Sequence, residues 1–91
     1  MGRKKLAQKI LETIDEREEH GMFIIIYDFK GGKNPKEFYY AIQELEKEGY
    51  MFTRIQKSVM LTNSKIGALA VKALAEHYKA SVQVFKVCDV L

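Results

Sequence analysis

Apolar residues along the chain alternate between helical and strand spacing, and the changes of period set the order of elements. Leu6, Ala7, Ile10, Leu11 and Ile14 recur three to four residues apart among Lys and Glu, which predicts an amphipathic helix running to Gly21. Residues 22–29 then form a nearly continuous apolar run, the pattern of a central strand covered on both sides. After the turn Lys30-Gly31-Gly32-Lys33, the run Asn34-Pro35-Lys36-Glu37 supplies an N-cap, a proline at the first helical position and an acid at the third. Phe38, Ala41, Ile42 and Leu45 give that helix its buried face, and Gly49 its stop.

Residues 50–61 read as extended, with Met51, Thr53, Ile55, Val59 and Leu61 on one parity and Phe52, Arg54, Gln56, Ser58 and Met60 on the other. The pattern admits one long strand, or two strands broken near Gln56-Lys57-Ser58 with the parity reversed beyond the break. Thr62, Asn63 and Ser64 are three possible N-caps for a helix carrying Ile66, Leu69, Ala70, Ala73, Leu74 and Tyr78 and ending near Lys79. Alternation from Ser81 to Val87 predicts a last strand, which the residues up to Leu91 can extend. The order predicts an α+β domain, a ferredoxin-like βαββαβ sandwich with an additional N-terminal helix. Residues 1–91 form one domain, the helix 1–21 preceding a core of residues 22–91.

Composition narrows the setting. Apolar residues are 47% and charged residues 30% of the chain, a globular balance rather than a disordered one. Cys88 is the sole cysteine, so no intrachain disulfide or thiolate-rich metal site can form; it reads as a buried small hydrophobe in a reducing, cytoplasmic compartment. The longest apolar run, residues 22–27, falls far below the roughly 20 residues that span a bilayer, so no membrane partner is expected. Basic residues at the N-terminus are followed by Lys9, Glu12, Asp15 and Glu16 where a signal peptide needs an uncharged stretch. Net charge is +3, and its distribution is uneven: nine basic residues face ten acidic ones through Gly49, against six and two from Tyr50 onward. A basic second half is compatible with a nucleic-acid surface.

Two stretches, the apolar strand closing on Tyr27-Asp28 and the run Arg54-Ile55-Gln56-Lys57-Ser58-Val59, carry a family likeness. Over residues 23–87 the chain resembles the small CRISPR-associated spacer-acquisition proteins, a ferredoxin-like group related to virulence-associated endoribonuclease toxins. The resemblance implies a homodimer in which Asp28 of both protomers holds a divalent metal, Mg²⁺, used to cleave phosphodiesters. The chain departs from the family in placing a helix before the first strand and in having Phe29-Lys30-Gly31-Gly32-Lys33 where acidic and arginine residues are usual.

The residues themselves leave alternatives open. Asp28 reads as a metal ligand and catalytic group, or as a turn-forming acid at a strand end. Arg54, Gln56 and Ser58 share a parity and, with Lys57, suit phosphate contacts, a polar dimer contact or a solvated face. Lys65, Lys72 and Lys79, seven residues apart, form one helical stripe suited to a phosphate backbone or simply to water. Lys30, Lys33 and Lys36 offer a looser phosphate site beside a helix start. Of Tyr39 and Tyr40, one at most faces the core, the other being left to cover the N-terminal helix or a partner. His20 and His77 have no carboxylate or cysteine at ligand spacing and carry no assigned role. Three functions follow: a nucleic-acid-binding homodimer, a Mg²⁺-dependent nuclease, and an assembly subunit of a larger protein or ribonucleoprotein particle such as a ribosome.

Overall fold

Hydrogen-bonding at the ends of the elements fixes where each begins and stops. The computed structural model describes residues 5–32 and 34–88. Helix α1 spans Leu6–Thr13, strand β1 His20–Asp28, helix α2 Lys36–Lys47, strand β2 Phe52–Gln56, strand β3 Val59–Ser64, helix α3 Lys65–His77 and strand β4 Ser81–Val87, with a short 3₁₀ turn at Lys30–Gly32. The sheet has the order β2-β3-β1-β4, and each neighbouring pair is antiparallel.

Two expectations about boundaries are corrected, and an open one is decided. The first helix stops at Thr13 rather than Gly21: the Thr13 hydroxyl donates to the Ile10 carbonyl at 2.7 Å, and Ile14 is already extended. Pro35, not Asn34, is the cap residue of α2, with ψ at 140° and its carbonyl accepting from Phe38 N–H at 3.2 Å. The Asn34 amide is drawn away, donating to the Tyr39 hydroxyl and to the Lys57 carbonyl. Residues 50–61 hold a hairpin, with β2 and β3 joined through Lys57 and Ser58.

Ser64 is the cap chosen from the three candidates before α3, accepting from Gly67 N–H at 2.9 Å. Its hydroxyl donates in turn to Glu18 at 2.6 Å, and the other Glu18 oxygen accepts from Ile66 N–H at 3.1 Å. With Lys65 N–H bonded to the Glu19 carbonyl at 2.9 Å, the first turn of α3 is fully answered. The segment that the helical spacing assigned to α1 is therefore spent on capping a different helix.

Both α2 and α3 end in a Schellman turn. After α2, Gly49 N–H bonds to Glu46 and Tyr50 N–H to Leu45, with Gly49 at φ 103°. After α3, Lys79 N–H bonds to Glu76 and Ala80 N–H to Ala75, and the left-handed residue is Lys79 at φ 66°.

The core lies between the sheet and the helices. Phe23, Ile25 and Tyr27 of β1 and Met60 of β3 meet Phe38 and Leu45 of α2 and Val71 and Leu74 of α3, all buried. Helix α1 packs on α2 and α3 through Ala7 and Ile10, and Lys5 and Gln8 reach Glu44 and Glu48 of α2.

The opposite face of the sheet is not covered by any described element, contrary to the two-sided burial expected of β1. Register places Ile24 beside Leu61 and Phe85, and Ile26 beside Val59 and Gln83. On this face Met22 is 37%, Ile26 41% and Phe85 48% exposed. Cys88 follows β4 and is exposed, not buried; extension of that strand beyond it concerns residues outside the described ones.

Candidate nucleic-acid interface

The residues singled out by the sequence fall on different sides of the sheet. Asp28 closes β1 opposite Ser81, exposed on the open face. Arg54 pairs with Met60, whose side chain is buried under the helices, so Arg54 points to the helix side. Between Arg54 and Gln56 the register shifts, with Ile55 as the extra residue, and Gln56 then pairs with Val59 on the open face. The bulge separates Arg54 from Gln56, and Ser58 sits in the hairpin turn; the shared parity expected for the three does not hold.

Arg54 is held at an aromatic corner. Its guanidinium lies 4.6 Å from the centre of the Tyr39 ring, a cation–π stack, and it has no carboxylate partner among the described residues. Tyr39 packs edge-on against Phe38, which packs against Tyr27 and Phe29 at 5.2 and 5.1 Å between ring centres. Asn34 ties the corner to the hairpin by bonding both Tyr39 and the Lys57 carbonyl, while Tyr27 N–H donates to the Ser58 carbonyl at 3.0 Å. The Tyr27 hydroxyl is buried beneath this corner without a well-formed hydrogen bond. Burial and the neighbouring Tyr39 push its pKa well above the ordinary phenol value, against the opposing pull of Arg54. A planar cation laid on a tyrosine and left open to solvent can meet a phosphate through its fork of N–H donors or stack against a base.

The helical stripe expected of the lysines holds for Lys65 and Lys72, which line one groove beside α3, but not for Lys79. Lys65 opens α3 and lies 3.9 Å from Glu16; Lys72 is half-buried; Lys79 stands outside the helix in its left-handed terminating position. Lys30 and Lys36 are exposed near the start of α2, whose cap provides no side-chain hydrogen bond, whereas Lys33 lies outside the described residues. Tyr39 is half-buried and Tyr40 exposed, lining a groove with Lys5, Leu6 and Ala7 of the N-terminal helix.

Among the described residues, no three His, Cys, Asp or Glu side chains come together as a metal cluster. Asp28 shares a hollow with Glu76, and the Mg²⁺ expected from the resemblance would draw further carboxylate ligands from a second protomer. No described helix is long and apolar enough to cross a membrane. Neither a family model nor a curated protein nor a solved structure matches the chain.

Glu18 and the stack of Arg54 on Tyr39 were missed by sequence reasoning. The first depends on a contact between positions 18 and 64–66, the second on a contact between positions 39 and 54. Spacing along one element carries no signal for either.

Proposed function

We propose that this chain is a nucleic-acid-binding protein that works as a homodimer on a ferredoxin-like core. The observation that carries the binding reading is Arg54, laid on the Tyr39 ring with no described carboxylate to answer it. A guanidinium held in this way is pre-positioned for a phosphate, and the aromatic corner beneath it limits the entropy lost on contact. The strand order β2-β3-β1-β4, with α2 between β1 and β2 and α3 between β3 and β4, supports the ferredoxin-like reading of the core.

The homodimer reading rests on the open face. Apart from Asp28 at one end, the side chains that β1, β3 and β4 present there between Met22 and Asp28, Val59 and Asn63, and Ser81 and Val87 are uncharged. An isologous contact sets a surface against itself, so a face with few charges pairs with its copy without burying like charges together. Cleavage is not part of the proposal: beyond the exposed position of Asp28 at the end of β1, no observation supports a cation site there.

Fluorescence polarisation of labelled single-stranded RNA, single-stranded DNA and duplex DNA tests the binding reading. Affinity is expected to fall steeply with salt, and Arg54→Ala to weaken it by about tenfold. No binding of any of the three at low salt would overturn it.

A further inference from the structure

A groove of about 460 Å³ runs between α3 and β4 along the edge of the sheet. Its walls are apolar: Phe23 of β1, Ala68 and Leu69 of α3, and Val82 and Val84 of β4. Strand β4 ends the order β2-β3-β1-β4, and among the described residues nothing pairs with its outer side. Every second residue of an edge strand turns its N–H and C=O away from the sheet. The pairing of β4 with β1 is regular from Ser81 to Val87, without a bulge or a proline. The other edge differs, since β2 is short and its register is broken at Ile55.

Charge selects among occupants of this groove. Lys65, Lys72 and Lys86 all line it, but Lys65 lies near Glu16 and Lys86 is paired with Glu19 at 2.5 Å. Lys72, on the middle turn of α3, is the one lining cation without a carboxylate partner among the described residues. A nucleic-acid backbone carries a charge on every residue and would meet Glu16 and Glu19 as well as a single unanswered lysine. It would also leave the outward carbonyls of β4 unused, having no backbone amides to offer them.

We infer that the edge of β4 and its groove bind an extended peptide of another protein, which adds as a further strand beside β4. The peptide places alternate apolar side chains between Leu69 and Val84 and one carboxylate on Lys72. Backbone hydrogen bonds to β4 give affinity, and the apolar walls with Lys72 give specificity. This surface is separate from the Arg54 corner and from the open face, so it stands whether or not the chain binds nucleic acid.

The test uses the full chain and an array of synthetic ten-residue peptides of alternating valine and threonine, with one glutamate moved through every position, read by fluorescence polarisation. Binding is expected to peak at one glutamate position, to weaken about tenfold when that glutamate is replaced by lysine, and to weaken similarly in Lys72→Ala. N-methylation of alternate peptide amides is expected to abolish it, a readout that requires no change to the protein's own fold. The inference is overturned if no peptide in the array binds, or if binding ignores both N-methylation and Lys72→Ala. It is equally overturned if an RNA oligomer occupies the groove in a Lys72-dependent manner, or if the peptide acts by dissociating a dimer joined at this edge.

Discussion

On the helix side of the sheet, Phe23, Ile25 and Tyr27 of β1 are closed off by α2 and α3; on the other side, from the same run, Met22 and Ile26 are exposed and Ile24 is half-buried. The two sets are equally apolar, so hydrophobicity alone does not say which will be buried by the chain itself. One face is finished by folding, and the other is the one that the proposed homodimer would use. A change on the covered face should therefore register in stability, and a change on the open face in oligomeric state.

The largest expected effect is in the covered core. Leu74 is fully buried under the sheet, and Leu74→Ala should cost about 2–5 kcal/mol through lost contacts and the cavity left behind. Ile26→Ala, at a position 41% exposed, should cost the folded monomer less than about 1 kcal/mol. Urea unfolding of both variants measures the contrast, and equal losses would mean that the open face is closed within the monomer.

The cap of α3 comes next. Ser64→Ala removes the acceptor for Gly67 N–H and the donor to Glu18, and should lower stability by about 1 kcal/mol. Burial works to raise the Glu18 pKa, but the hydrogen bonds from Ser64, Ile66 and Glu19, with His20 nearby, outweigh it and hold the carboxyl below its ordinary value. A depressed carboxylate contributes stability above its unfolded pKa and loses it as the pH falls through the folded one. Calorimetry between about pH 6 and pH 3 should show the melting temperature falling, with a shallower fall in Glu18→Gln.

A smaller effect, opposite in sign, is expected at the end of the same helix. Lys79 holds the left-handed position that Gly49 occupies after α2. Lys79→Gly removes the strain of a side chain there and should raise stability by up to about 1 kcal/mol. Its influence on nucleic-acid affinity, measured in the same variant, separates a structural lysine from a phosphate contact.

Much of the fold was legible because its signals are local. The apolar spacing of Phe38, Ala41, Ile42 and Leu45, the stop at Gly49, the caps before α3 and the alternation of β4 each depend on residues a few positions apart. The end of α1 was not legible, because Glu18 and Glu19 are claimed by backbone groups of Ile66 and Lys65 that only the folded chain brings near. The bulge at Ile55 breaks a parity that looks regular in sequence and sends Gln56 to the face opposite Arg54. The candidate site was legible as a set of residue types, not as an arrangement. Asp28 and Arg54 stand on opposite sides of the sheet, and Lys79 stands apart from Lys65 and Lys72, which share a groove.

The most direct test of the open face as a self-association surface is sedimentation equilibrium of the native chain and of Ile26→Lys, with circular dichroism to verify that the variant folds. The account predicts a native mass of twice the 10.5 kDa chain and a folded variant of one chain mass, because a lysine at the centre of an isologous contact meets its own copy. A native chain that stays at 10.5 kDa at every concentration, or a folded variant that dimerises as well as the native chain, would contradict it.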